Sequence, residues 1–144
     1  MKNSIIILAF IFCIIIGCNT TKPMMKSTNK PLITQNDTIR IANDSLQYEV
    51  IIIDPGFNYW LASRAFPQGY HSQSYLESRN QLYVTEWNYR VQQPQRYNPN
   101  LYEMTIDYDS KINYGYEVNY LIYNYMIFFQ NTYKQKLWGN VPLR

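Results

Sequence analysis

The chain has 144 residues, a formal net charge of +3, and two cysteines, Cys13 and Cys18. From residue 38 onward, nine positively charged side chains stand against nine negatively charged ones, which argues against a nucleic-acid surface. Because no cysteine follows Cys18, disulfides, thiolate nucleophiles and Cys-ligated metal sites are excluded after it. Burial alone must then stabilise a domain of about a hundred residues.

The first 17 residues predict a removable signal peptide. Lys2 precedes an unbroken run of twelve apolar residues from Ile5 to Ile16. As a helix, this run reaches only about 18 Å, which is short of the roughly 30 Å of a bilayer core. The run is therefore typical of a leader and not of a membrane span.

The residues Ile15-Ile16-Gly17-Cys18 resemble the lipobox of bacterial lipoproteins, although Leu and a small residue are commoner at its first two positions. The resemblance implies cleavage before Cys18, diacylation of its thiol, and acylation of the new amine with a fatty acid such as palmitate. Two or three such chains anchor a protein durably in a membrane. The alternative is an ordinary secretory signal with an incidental cysteine. Asn19 follows Cys18 with neither an Asp nor an acidic run behind it, so we predict the periplasmic face of the outer membrane.

Residues 18–37 carry the lipidated cysteine and then predict a flexible tether, because they are polar, lack periodicity and include Pro23 and Pro31. A β-hairpin is expected next. Ile39 to Ile41 alternates, residues 43–45 form a turn cluster, and residues 46–53 are rich in β-branched side chains.

Three helices are predicted after the hairpin. Asp54-Pro55 starts the first, with Asp54 as the N-cap and Pro55 at the first helical position. Its apolar face groups Phe57, Trp60, Leu61 and Ala65. Pro67 and Gly69 end it. The second helix begins at the capping-box sequence Ser74 to Glu77 and runs to Pro94. Its apolar stripe groups Leu76, Tyr83, Trp87 and Val91.

A loop at residues 97–100 leads to a predicted half-buried strand over residues 102–108, where apolar and polar side chains alternate. A turn at residues 109–114 follows. The last segment, Glu117 to Leu137, predicts a long helix. Lys134 and Lys136 suit the C-terminal end of a helix, and Gly139 can terminate it. One stripe of it groups Val118, Leu121, Ile122, Tyr125 and Phe129, and a second groups Glu117, Asn124 and Asn131.

These elements predict a single α+β domain over residues 38–139, with a small antiparallel sheet of two to three strands packed against about three helices. Four segments resemble an uncharacterised family of small bacterial lipoproteins, a domain of unknown function. They are residues 51–61 (IIIDPGFNYWL), 72–79 (SQSYLESR), 96–103 (RYNPNLYE) and 114–125 (YGYEVNYLIYNY). The resemblance covers roughly residues 38–137 and implies no activity.

His71 is the only histidine, and it follows Pro67-Gln68-Gly69-Tyr70 just before a predicted helix start. A helix N-terminus disfavours imidazolium, so His71 could act as a base or a ligand, but the chain offers no second histidine beside it. A structural or solvated His71 is the favoured interpretation. We therefore predict no catalytic residue, no metal site and no cofactor.

Arg79, Glu86 and Arg90 share one predicted helix face. They could line a cleft for an anionic ligand, whereas a solvated face or an internal salt-bridge network is the more ordinary role. The candidate ligand-binding residues are Tyr70, His71, Tyr75, Arg79 and Arg90.

All fifteen tyrosines lie between Tyr48 and Tyr133. AT-rich codon usage explains such a composition, and so does a surface that binds partners through large amphipathic rings. We predict a non-enzymatic accessory or protein-interaction module. The alternative is a protein that binds glycan or cell-wall fragments through exposed Tyr, Trp and Asn, although the helical spacing of Trp60 and Trp87 places both in the core. An enzyme ranks third, and a buried carboxylate near His71 would favour it.

Overall fold

The computed structural model describes residues 32–33, 38–43 and 48–144. Within these ranges the elements are β1 (Leu32–Ile33), β2 (Thr38–Asn43), β3 (Tyr48–Ile53), α1 (Phe57–Ser63), α2 (Gln73–Val91) and α3 (Tyr116–Thr132). This architecture confirms the predicted α+β class. The predicted leader and Cys18 lie outside the described residues. No helix of the described ranges is long and apolar enough to cross a membrane.

The strands form one antiparallel sheet in the order β1-β2-β3. The predicted β2–β3 hairpin is confirmed, with Ile39 opposite Ile52, while residues 44–47 of its turn lie outside the described part. Alternation buries Ile39 and Ile41 against the helices, as period-two packing requires. The pair Leu32–Ile33, which falls in the range predicted as tether, joins the sheet beside β2.

Helix α3 is the centre of the domain, because 11 of its 17 residues are buried. Phe57 and Trp60 of α1 pack their rings on Phe128, at centroid distances of 5.3 and 5.9 Å. The predicted stripes of α2 and α3 face each other, as do Trp87 and Phe129 at 4.7 Å. Asn124, which belongs to the second predicted stripe of α3, is buried as well.

The predicted helix starts are wrong in detail. Gly56, at φ +89°, stands at the N-cap of α1, and the Asp54 carboxylate does not cap that helix. Glycine adopts this left-handed conformation without steric cost. Ser72, two residues before the predicted Ser74, caps α2 by accepting a hydrogen bond from the Tyr75 amide at 3.2 Å.

The predicted end of the last helix is also too late. Helix α3 ends at Thr132, because the chain turns at Lys134, which takes a φ of +54°. Lys136 and Gly139 therefore lie in the irregular C-terminal segment and not at the helix terminus. This segment then passes back over the helices, where Asn131 Nδ2 donates to the Pro142 carbonyl at 2.9 Å.

The predicted strand over residues 102–108 is wrong. The segment is irregular, and side chains of α2 bond its backbone groups in place of a neighbouring strand. Asn88 Oδ1 accepts from the Ile106 amide at 2.8 Å, and Asn88 Nδ2 donates to the Ile106 carbonyl at 2.9 Å. The Trp87 indole N–H donates to the Met104 carbonyl at 2.9 Å. Two adjacent residues of α2, Trp87 and Asn88, therefore hold this segment at Met104 and at Ile106.

Candidate functional site

Four of the five predicted ligand-binding residues lie together where the start of α2 meets α3. His71 stacks on Tyr75 at 4.3 Å between ring centroids and meets Tyr70 edge-on at 4.8 Å. It also contacts Tyr123 of α3 at 5.3 Å. Arg79 follows Tyr75 by one helical turn, and its Nη2 donates to the Tyr83 hydroxyl at 2.8 Å. We use the name His71 cluster for seven residues: Phe66, Tyr70, His71, Tyr75, Arg79, Tyr123 and Arg144.

Phe66 and Arg144 complete the His71 cluster, and the sequence interpretation missed both. The Arg144 guanidinium lies 3.7 Å from the centroid of the Phe66 ring, and Phe66 lies 6.1 Å from His71. The C-terminal segment also passes Arg79, since a Cβ at Gly139 would lie 3.9 Å from Arg79 Nη2. Arg144 is far from the other cluster residues in the chain, so no local pattern links it to them and only the tertiary fold reveals it.

The charges of the His71 cluster are set by burial and by its two arginines. Burial lowers the pKa of His71, and the positive charge of Arg144 lowers it further, so the imidazole is neutral at pH 7. Burial opposes the charge of Arg79, but the hydrogen bond to Tyr83 and the nearby Tyr75 and Tyr123 hydroxyls together outweigh it and raise the pKa of Arg79. Burial, followed by the neighbouring Tyr75 hydroxyl, raises the pKa of Tyr123. The cluster therefore places the cations Arg79 and Arg144 beside neutral aromatic rings.

Arg90, the fifth predicted ligand-binding residue, lies outside the His71 cluster. All three of its side-chain nitrogens are used by the fold. Nε pairs with Glu86 at 2.7 Å, Nη1 donates to the Tyr102 hydroxyl at 2.8 Å, and Nη2 donates to the Lys136 carbonyl at 2.6 Å. Arg90 is 9% exposed. It thereby joins α2 to the segments before and after α3.

A second concave surface, which the sequence interpretation missed, lies between β3 and residues 100–107. Two adjoining cavities of about 320 and 570 Å³ form it, and Trp87 and Tyr125 line both. We call it the β3 groove. Its mouth is apolar, because Ile51, Ile53 and Met104 are 53%, 74% and 71% exposed.

Asp54 lies at one end of the β3 groove and is 6% exposed. Its carboxylate accepts hydrogen bonds from the Tyr133 hydroxyl at 2.9 Å and from the Tyr125 hydroxyl at 3.3 Å. Burial raises the pKa of Asp54, and these two hydrogen bonds lower it in part. Both hydroxyls come from α3 or the residue after it, so the carboxylate ties the end of β3 to the central helix.

The described residues contain no group of three or more His, Cys, Asp or Glu side chains that could hold a metal ion. Cys18, the predicted lipidation site, lies outside the described ranges. The two surfaces that the structure offers are therefore the aromatic and basic His71 cluster and the apolar β3 groove.

A family model matches residues 5–141, which include the whole β3 groove and every residue of the His71 cluster except Arg144. The chain belongs to DUF6146, a family of unknown function. The resemblance to an uncharacterised family is confirmed at that level. Comparison of this DUF6146 chain with curated proteins and with solved structures finds no match.

Proposed function

We propose that this DUF6146 protein is a lipid-anchored envelope protein whose folded domain is a non-enzymatic interaction module. The Gly17-Cys18 junction after the apolar leader supports a lipid on Cys18 and a place on the periplasmic face of the outer membrane. The neutral charge of the chain after residue 37 supports a protein partner over a nucleic acid.

The β3 groove carries this proposal, and its partner is an extended apolar segment of another envelope protein. The strand order leaves one edge of β3 without a neighbouring strand among the described residues. A free strand edge offers backbone donors and acceptors to an added strand, and β3 with six residues presents about 20 Å of edge. Exposed Ile51, Ile53 and Met104 beside it would bury the apolar side chains of such a segment.

The non-enzymatic part of the proposal is supported by the positions of the acid and the base. Asp54 is the buried carboxylate among the described residues, and its hydrogen bonds go to Tyr125 and Tyr133. His71 contacts a different set of rings and lies next to the cation Arg144. Catalysis by a His–carboxylate pair requires the two groups within hydrogen-bond reach.

Site-directed photocrosslinking in cells tests the groove. A photoreactive residue at Ile53 should crosslink to a discrete partner protein, since that side chain is 74% exposed at the groove mouth. The matched control is Tyr59, which is 78% exposed and lies outside the groove lining. Identical products at both positions, or none at Ile53, would contradict the proposal.

A second candidate function, binding of a glycan or cell-wall fragment, is favoured by the exposed rings of the His71 cluster. Tyr70 and Tyr75 are 60% and 41% exposed, whereas Trp60 and Trp87 are buried and unable to stack on a sugar. Titration with soluble cell-wall fragments would show weaker binding for Tyr70→Ala and unchanged binding for Tyr89→Ala, an exposed tyrosine elsewhere on α2. Equal affinities would remove this candidate.

A further inference from the structure

The His71 cluster gathers buried hydrogen-bond donors that have no acceptor. Among the described residues, seven buried side-chain polar atoms lack a hydrogen-bond partner, and four of them are amide oxygens. The remaining three are nitrogens, and all belong to the cluster: His71 Nε2, Arg79 Nε and Arg144 Nη1. A buried donor without an acceptor costs folding free energy, so native proteins rarely retain one without a use for it.

The two arginines of the cluster form no ion pair among the described residues. In the described part of the chain, the ion pairs join Arg40 to Glu49 and Arg90 to Glu86, and neither includes a cluster arginine. Arg79 bonds the neutral Tyr83 hydroxyl, and Arg144 stacks on the Phe66 ring. Arg79 and Arg144 both act electrostatically on Tyr123, and neither forms an ion pair with a described acidic side chain.

We propose that the His71 cluster binds an oxyanion, the carboxylate or phosphate group of a small ligand, held by Arg79, Arg144 and His71. A planar guanidinium fork matches the paired oxygens of such a group, and the charge-assisted bonds it forms are among the strongest in proteins. The His71 Nε2 atom adds a further donor when it carries the ring proton. A bound oxyanion would supply acceptors to unpartnered nitrogens of the cluster and a counter-charge to its arginines.

The rim of the cluster adds a constraint on the rest of the ligand. Tyr70 is 60% exposed and stacks at 4.1 Å on Phe66, which is 38% exposed. These rings offer an apolar face beside the charged site, so the ligand carries a ring or an aliphatic chain next to its oxyanion. Oxyanion binding at the His71 cluster is independent of the partner proposed for the β3 groove. An acidic cell-wall fragment would fit it, but the site requires only the oxyanion.

NMR titration of the purified full-length protein in detergent micelles tests the inference. His71 is the only histidine, so its imidazole proton signals report on the cluster without overlap from other histidines. Sodium acetate and sodium phosphate are titrated separately, at an ionic strength held constant with sodium chloride. We expect the His71 signals to shift along a saturating curve with at least one of the two anions. Saturation with acetate alone identifies a carboxylate site, and saturation with phosphate alone identifies a phosphate site.

Two variants and a matched control make the test specific. Arg144→Gln and Arg79→Gln should each weaken the binding at least tenfold, whereas Arg64→Gln, which removes an exposed arginine outside the cluster, should leave it unchanged. Arg144 lies in the terminal segment, so its variant still decides the matter if Arg79→Gln fails to fold. Linear shifts without saturation for both anions, or equal affinity in Arg144→Gln, would overturn the inference.

Discussion

Truncation of Trp87 to alanine should destabilise the domain severely. The side chain is 6% exposed and packs against Phe129 at 4.7 Å and Tyr102 at 5.1 Å between ring centroids. Its indole N–H also donates to the Met104 carbonyl. Removal of a buried tryptophan side chain typically costs about 3–5 kcal/mol, and the lost hydrogen bond about 1 kcal/mol.

The structure places the expected cost in the lower half of that range. Trp87 lines both cavities of the β3 groove, so the space left by truncation opens to the groove and water can enter it. Met104 is exposed, so water can also replace the lost donor at its carbonyl. We therefore expect a loss of about 3–4 kcal/mol, which lowers the melting temperature of a domain of this size by more than about 10 °C.

Urea unfolding followed by far-UV circular dichroism measures this loss. Tyr89→Ala is the matched control, because Tyr89 lies two residues away on α2 and is 49% exposed; its cost should stay within about 0.5 kcal/mol. Trp87→Phe keeps an aromatic ring and loses the donor, and should fall between the two. If Trp87→Ala unfolds within 1 kcal/mol of Tyr89→Ala, the packing assigned to this residue is refuted.

Three further predictions concern other parts of the chain. Asn88→Ala removes both hydrogen bonds to Ile106, so hydrogen exchange should accelerate across residues 102–108 and stability should fall by about 1–2 kcal/mol; unchanged exchange would show that Asn88 does not hold the segment. His71 has a lowered pKa in the folded state, so the unfolded state binds more protons and stability should fall as pH drops below 6.5. Thermal melts across this pH range should show a weaker dependence of stability on pH for His71→Gln. Should His71→Gln keep the full slope, another group titrates in that range. Cys18→Ser should abolish incorporation of labelled palmitate and partition into detergent micelles, and a serine variant that still takes up label would exclude Cys18 as the anchor.

Local periodicity accounts for the parts of the fold that were predicted correctly. The hairpin follows from period-two alternation around Ile39 and Ile52, and the facing helices follow from apolar stripes at helical spacing. These patterns depend on near neighbours in the sequence. The loop at residues 97–100 and the turn at residues 109–114 were equally readable from local residue types.

Long-range hydrogen bonds explain two of the errors. Asp54 is a good helix cap by its local sequence, but hydroxyls 71 and 79 residues further along the chain take its carboxylate. Residues 102–108 alternate as a strand does, and Asn88 of α2 occupies the backbone groups that a second strand would need.

The proximity of the candidate residues followed only in part from local spacing. Tyr70, His71 and Tyr75 are close in sequence, so their proximity could be expected, and Arg79 is one turn further along the helix. Arg144 reaches the cluster only through the path of the C-terminal segment. The β3 groove had no signal in the sequence, because its two walls come from segments about fifty residues apart.

The His71 cluster is complete only while the segment after α3 is docked, because that segment carries Arg144. Leu137 is buried in the core, but beyond it the segment is held by the Asn131–Pro142 hydrogen bond and by the contact of Arg144 with Phe66. Its last residues can therefore detach while the helices stay folded. Affinity for an oxyanion is then scaled by the fraction of molecules in which the segment is docked. A bulky fusion placed directly after residue 144 would lower that fraction and hide the activity of an intact domain, so affinity handles belong elsewhere on the molecule.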